Sequence, residues 1–143
     1  MVRLNEEIPV LTLPDAEGRE HSTWAYKHRQ PLVLVFADED AAVTREFARR
    51  YADYRAANAE VIAILRAAPR EPLPFPVMVD ADGSASRRYA ERTPAVLVTD
   101  AFGTLEGRFE GSDPDHERIL SLIFAAEMRC PECGVAEWPS EQS

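Results

Sequence analysis

The residues best suited to chemistry in this 143-residue chain are its two cysteines, Cys130 and Cys133, which form a Cys-x-x-Cys pair near the C-terminus. Two thiols at this spacing can hold a metal ion together or exchange electrons by forming a disulfide. One cysteine pair is too few for the disulfide framework of a small secreted domain. The spacing therefore favours a metal site or a redox pair over inert cysteines.

The metal interpretation depends on the wider segment, which reads Cys130-Pro131-Glu132-Cys133-Gly134. This segment resembles the knuckle of zinc ribbons and rubredoxins, in which a tight turn directs two thiolates at one metal. A structural zinc takes about four ligands, and none of the histidines, His21, His28 and His116, lies at ligand spacing from the cysteines. Two chains that each supply one knuckle would complete a shared zinc site, so this interpretation implies a homodimer.

The redox interpretation treats the same segment as a dithiol. Cys-Pro-x-Cys is similar to the redox motif of glutaredoxins, and a thiol-reducing partner would return its disulfide to the dithiol. The position is unfavourable, because the pair follows a predicted helix and the negative end of a helix dipole raises the pKa of a thiol. Arg129 offsets this effect only in part. The residues alone leave metal binding and redox exchange both open.

Outside the cysteine pair, the clearest structural signal in the sequence is a pair of buried strands. The runs 32–36 and 61–65 are continuously apolar, a pattern typical of strands covered on both faces of a sheet. Between them we predict one helix, capped by Asp38 or Asp40 and ending near Asn58. Its buried face carries four residues at helical spacing, Val43, Phe47, Tyr51 and Tyr54. Strand, helix and strand form one right-handed crossover unit.

The remaining elements flank this unit. The sequence predicts a short hairpin before it and a proline-rich loop after it. Beyond the loop we predict a strand at 75–79, a short helix capped by Ser84, a strand at 95–99, its hairpin return at 104–109 and a terminal helix over 119–126. We therefore expect an α/β fold, with a mixed sheet of four or five strands and helices on both faces.

The terminal helix is apolar almost all round, since Ser121 is the one polar residue in 119–126. Ile119, Leu122, Ile123 and Ala126 fill one face, and Leu120 with Phe124 adds apolar surface on an adjoining face. A helix of this kind needs cover on two sides, so we expect it to form a homodimer contact. We divide the chain into a domain over 1–128 and a cysteine-bearing tail over 129–143.

The composition limits the partners. The formal net charge of −9 gives an acidic surface that repels phosphate backbones, so we expect no nucleic-acid binding. No stretch approaches the roughly 20 apolar residues of a membrane span, and the N-terminus lacks the basic-then-apolar pattern of a signal peptide. We therefore expect a soluble cytoplasmic protein.

The order of these elements, with several local motifs, resembles a known family. The motifs are the apolar run Pro31–Phe36, the triplet Arg45-Glu46-Phe47, and Thr93-Pro94 before the strand at 95–99. Over about residues 8–128 the chain resembles peroxiredoxin-like proteins of the alkyl hydroperoxide reductase and thiol-specific antioxidant family. The resemblance implies a thioredoxin-like fold with an N-terminal hairpin, and a thiol oxidoreductase or antioxidant class of function.

The resemblance also locates the family's active site. Members carry a nucleophilic cysteine at the N-terminus of the helix after the first core strand, where the helix dipole stabilises a thiolate. Alignment on the Arg45-Glu46-Phe47 triplet puts Ala41 and Thr44 at the two cysteine positions, so we expect no peroxidase activity there. The resemblance implies a cis peptide bond at Thr93-Pro94, beside the same groove. Arg92 would contact an anion there or remain solvated.

Two hypotheses follow. In the first, the protein is redox-associated and its thiol chemistry rests on Cys130 and Cys133. In the second, it is a non-catalytic thioredoxin-fold binding or scaffold module whose cysteine knuckle holds a structural metal, zinc being the candidate.

Overall fold

A computed structural model describes residues 2–38 and 42–128. Ala41, Cys130 and Cys133 lie outside the described residues, and so does the tail over 129–143. Within them a small antiparallel hairpin pairs strand β1 (Thr12–Pro14) with strand β2 (Glu20–Ser22). A 3-10 helix (Thr23–Tyr26) follows, and the Ser22 hydroxyl caps it by accepting from the Trp24 amide. The predicted N-terminal hairpin is therefore confirmed.

The main sheet has five strands, which are β3 (Leu32–Ala37), β4 (Glu60–Leu65), β5 (Val77–Val79), β6 (Ala95–Thr99) and β7 (Leu105–Glu110). Their spatial order is β5-β4-β3-β6-β7. Strands β3, β4 and β5 are parallel, whereas β6 and β7 pair antiparallel on the other side of β3. The mixed thioredoxin-like sheet that the sequence predicts is confirmed.

In the described part of the chain, four α-helices accompany the sheet, namely α1 (Ala42–Arg49), α2 (Tyr51–Ala56), α3 (Ser84–Tyr89) and α4 (His116–Met128). The single helix predicted between β3 and β4 was wrong, because the backbone breaks at Arg50 (φ −100°, ψ 7°) and divides it into α1 and α2. Asn58 adopts a left-handed φ of 63° just beyond α2 and stops the helix where the sequence predicts. None of the described helices is long and apolar enough to cross a membrane.

The two faces of the sheet bury alternate residues of each strand. On one face Val33 and Val35 of β3 pack with Phe47, Tyr54 and Ile119 from α1, α2 and α4. On the opposite face Leu34 and Phe36 pack in a second cluster that includes Met78, Ala85, Tyr89 and Leu105. Because both faces are covered, β3 and β4 are buried at every position, which explains their uninterrupted apolar runs.

Helix α4 lies against β6 and β7. Its residues Ile119, Ile123 and Ala126 face the sheet side and are buried. A β-carbon at Gly107 of β7 would come within 2.5 Å of Leu122 Cδ1 of the helix. Glycine at this position therefore permits the close approach of helix and strand. Phe124 and Met128 are each 66% exposed on the outer side.

One buried polar pair lies where α2 meets the start of α4. The imidazole of His116 is 5% exposed, and its Nδ1 lies 2.7 Å from the Tyr54 hydroxyl. The Phe47 ring packs edge-on against the imidazole, with 4.6 Å between centroids. Burial, and then the nearby positive charge of Arg50, lower the pKa of His116, although the carboxylates of Glu46, Asp113 and Asp115 oppose this. Burial also raises the pKa of Tyr54, so both groups are neutral near pH 7.

This pair predicts that the fold weakens on mild acidification. Because the pKa of His116 in the fold is lower than in the unfolded chain, the unfolded state binds more protons in that window. The free energy of unfolding should therefore be highest above about pH 6.5 and fall as the pH drops through the folded pKa. Urea denaturation at several pH values between about 7 and 5 measures this slope.

The His116→Gln variant should be less stable at neutral pH and should lose most of the slope. The His28→Asn variant is the matched control, because His28 is exposed and asparagine tolerates its left-handed φ of 68°. An unchanged slope in the His116→Gln variant would contradict this account.

Candidate functional site

The predicted site lies where two parallel strands end together. Ala37 of β3 pairs in register with Leu65 of β4, so the next residues, Asp38 and Arg66, follow adjacent carboxyl ends. Ligands of open α/β sheets bind outside these ends. We call this side of the sheet the carboxyl edge and define it by Asp38, Arg66, Thr93 and Pro94.

Thr93 and Pro94 reach the carboxyl edge from β6. Phe36 pairs with Ala95, which brings the preceding Pro94 beside the end of β3. The Thr93-Pro94 peptide bond is cis, as the sequence comparison with the family predicts. Thr93 is exposed and Pro94 is half-buried. The sheet thus brings together an exposed hydroxyl and a proline that lie more than fifty residues from β3 in the sequence.

Thr44 lies in the first turn of α1 and is 2% exposed. It lines a cavity of about 140 Å³ with residues of α1 and of the proline-rich loop, Arg45, Ala48, Pro69, Glu71, Pro72 and Leu73. Among the described residues, those that line this cavity include no histidine or cysteine. A threonine hydroxyl needs a partner base to act as a nucleophile, and an imidazole is the usual one.

A separate groove of about 130 Å³ opens at the carboxyl edge itself. Its lining is mostly polar and comes from the residues that follow β3 and β4, from α3 with its flanking residues and from the segment before Pro94, namely Asp38, Arg66, Gly83, Ser86, Arg87, Ala90, Glu91 and Thr93. Arg92 is exposed and is not part of this lining. Thr44 and Thr93 thus line two different cavities.

Asp80 fixes the α3 side of the groove, and sequence reasoning missed it. Its side chain is 1% exposed, and its two carboxylate oxygens accept from the Ala85 amide at 3.2 Å and the Ser86 amide at 3.0 Å. The Ser86 hydroxyl donates to the same carboxylate at 3.1 Å. The prediction that Ser84 caps this helix was wrong, because Gly83 occupies the N-cap position with a φ of 74°. The available signal was an aspartate directly after a strand and four residues before a helix.

The last described helix, α4, ends at the opposite side of the sheet. Asn58 precedes β4, and its side-chain amide donates to Glu127 Oε1 at 3.0 Å. The last turn of α4 therefore lies beside the amino end of β4. Strand β4 has six residues and extends about 17 Å from that end to the carboxyl edge. Cys130 follows Met128 by only two residues in the sequence.

A sequence model described as the AhpC/TSA family matches residues 4–108. The comparison with curated proteins found no match. Solved structures match over nearly their whole length. The chain is 13% identical to the reduced 2-Cys peroxiredoxin of Plasmodium vivax, with a TM-score of 0.74, covering 87% of this chain and 96% of that one.

Two other structures match similarly. Peroxidoxin BcpB from Mycobacterium tuberculosis is 15% identical with a TM-score of 0.70, covering 91% of this chain and 100% of that one. A structure described as a thiol:disulfide interchange protein DsbE, from Chlorobium tepidum, is 21% identical with a TM-score of 0.74, covering 88% and 99%. At these identities the structures show a common thioredoxin-like fold.

The Asp80 network predicts a large loss of stability in the Asp80→Ala variant. Removing the carboxylate leaves two amides and one hydroxyl unpaired in a buried place, at a cost of about 3 kcal/mol in the free energy of unfolding. Asp82→Ala is the matched control, since Asp82 is exposed and its side-chain hydrogen bonds go to Ser84, so its loss should cost about 1 kcal/mol or less. Urea denaturation of both variants checks this, and equal losses would contradict it.

Proposed function

This chain belongs to the AhpC/TSA family, and from that membership we propose that it is a redox-associated protein whose thiol chemistry rests on Cys130 and Cys133. The observation that carries this proposal is the buried hydroxyl of Thr44 in the first turn of α1, a position to which the resemblance assigns a cysteine of the family. The two cysteines of the chain both lie in the tail.

Peroxide reduction at α1 would need a thiolate. The nucleophile attacks one peroxide oxygen, the O–O bond breaks, and the sulfur is oxidised to a sulfenic acid. An alanine has no nucleophile, and a threonine hydroxyl can neither ionise near neutral pH nor be oxidised in this way. With Ala41 and Thr44 at the two family positions, the family's peroxidase reaction has no reacting atom in this segment.

Thiol–disulfide exchange needs only the tail pair. One thiolate attacks an external disulfide, the second thiol displaces the mixed disulfide, and Cys130 and Cys133 end as a disulfide while the co-reactant gains two thiols. The reverse steps, driven by a thiol-reducing partner, restore the dithiol. The reaction balances without a metal or peroxide.

A second candidate function is a non-catalytic binding or scaffold module. Here Cys130 and Cys133 would each lose a proton and hold a structural zinc, with two chains supplying four sulfurs. The observation that favours it is the exposed apolar pair Phe124 and Met128 on the last two turns of α4, next to the tail. Leu120 is half-buried against the core, so the surface offered to a second copy is smaller than the sequence predicts.

The first prediction from this proposal concerns peroxide. The purified full chain should consume hydrogen peroxide only slowly, and the Cys130→Ser/Cys133→Ser double variant should consume none above buffer. Absorbance or coupled assays of peroxide loss measure this directly. Fast turnover that survives replacement of both cysteines would overturn the assignment of thiol chemistry to the tail.

The second prediction separates the two functions. If the tail is a redox pair, a disulfide reagent should convert two free thiols per chain to none, and a thiol reductant should reverse this. If the tail is a metal knuckle, protein purified without chelator should hold one zinc per two chains, and chelation should weaken the dimer. Thiol titration, metal analysis and light scattering on the same sample distinguish these outcomes. A metal-free monomer with two unreactive thiols would contradict both functions.

A further inference from the structure

We propose that the carboxyl edge binds an oxyanion, a phosphate or carboxylate group of a small molecule, between the guanidinium groups of Arg66 and Arg87. This site uses neither tail cysteine, so it does not depend on the function proposed above. It rests on the positions of the two arginines, on the hydrogen bonds that they make, and on the polar groove that they line.

The two arginines converge over Gly83. A β-carbon on this glycine would lie 3.1 Å from Cζ and from Nη1 of Arg66, and 3.1 Å from Nη1 of Arg87. The two Nη1 atoms therefore lie within about 6 Å of each other, a separation at which two positive charges repel at a protein surface. Only glycine leaves this space open, and its φ of 74° is one that other residues rarely adopt. An anion between the guanidinium groups would convert the repulsion into attraction to both.

Each arginine is held in place but keeps unused donors. Arg66 donates from Nε to the carbonyl of Ala81 at 3.3 Å, and Arg87 donates from Nη1 to the carbonyl of Asp82 at 3.1 Å. A guanidinium carries five N–H donors, so most remain for a ligand. Within 2–38 and 42–128, no carboxylate oxygen lies within 4.0 Å of a nitrogen of either side chain. Neither arginine therefore forms an ion pair in the described part of the chain, although the charge of Arg87 is close enough to help lower the pKa of the exposed Asp82 carboxyl.

The groove adds further elements suited to an oxyanion. Thr93 contributes a hydroxyl that can donate, and the arginines come from two elements that the Asp80 network and the β4 pairing hold rigidly. Asp38 and Glu91 line the same groove and bring negative charge. Their negative charge should weaken oxyanion binding. Neutralising either carboxylate should therefore tighten binding, whereas neutralising either arginine should weaken it.

The chemistry of the donors defines the ligand class. Guanidinium groups bind carboxylates and phosphates through parallel N–H···O bonds, because the spacing of their donors matches two oxygens of one group. A phosphate offers more oxygens and more charge than a carboxylate, so it should bind more tightly between two arginines. Inorganic phosphate and acetate, titrated separately at constant ionic strength, distinguish the two sources of an oxyanion.

The experiment is an amide and arginine Nε–H NMR titration of the full chain with each anion. Saturable shifts are expected at the amides of Ala81, Asp82 and Gly83 and at the two arginine side chains. Arg66→Gln and Arg87→Gln should each weaken binding about tenfold, because each removes charge-assisted hydrogen bonds. Asp38→Asn and Glu91→Gln should tighten it severalfold. Arg118→Gln is the matched control, since it removes an exposed arginine of α4 that does not line the groove.

The outcomes separate clearly. The site is supported if the two arginine variants bind the anion more weakly, the Arg118→Gln variant binds it unchanged and the two carboxylate variants bind it more tightly. Absence of saturable shifts with both anions would overturn it, and so would equal weakening in Arg118→Gln. The two carboxylate variants keep the test valid if an arginine variant unfolds, because unchanged affinity in both would also count against the site. Thermal unfolding of each variant reports whether it is folded.

Discussion

Strand β3 occupies the centre of the sheet, and every other feature of the structure depends on its burial. It pairs parallel with β4 on one side and antiparallel with β6 on the other, and none of its six residues is exposed. A strand with both edges and both faces covered excludes water from its backbone hydrogen bonds, so its register is strongly fixed. That register places Asp38, Arg66 and Pro94 at one edge of the sheet. The carboxyl edge is therefore a consequence of how one apolar strand is paired.

The two helices around this edge are held in different ways, α3 mainly by hydrogen bonds and α1 mainly by hydrophobic packing. Helix α3 has six residues, too few to be stable by itself, and it begins where the buried Asp80 carboxylate accepts two of its amides. Helix α1 is positioned by Val43 and Phe47 in the core. One side of the groove thus depends on a single buried carboxylate, and the other depends on apolar contacts.

The two proposed chemistries of this chain belong to different parts of its sequence. The carboxyl edge carries arginines, hydroxyls and a cis-proline, and the cysteines follow α4, whose last turn contacts Asn58 near the amino end of β4. The proposed oxyanion site and the proposed thiol chemistry use different residues, because the charge and the hydrogen-bond donors of the groove come from arginines and the thiols belong to Cys130 and Cys133.

The sequence by itself determined the strands of this protein, the order of its elements and the cis-proline position, because apolar runs, glycine turns and family motifs are local signals. It also identified Asn58 as a helix stop, which depends on its immediate neighbours. The break at Arg50 was not visible, since the apolar spacing from Val43 to Tyr54 continues through it.

Only the tertiary structure decided which distant side chains meet. The buried contact of Tyr54 with His116 joins residues 62 positions apart, and the convergence of Arg66 with Arg87 needs both the end of β4 and the start of α3. In the sequence Asp80 looks like an ordinary aspartate of a turn, and only the fold shows that its side chain is buried. The physical reason is that burial and charge proximity are properties of the packed sheet, and no spacing along the chain encodes them.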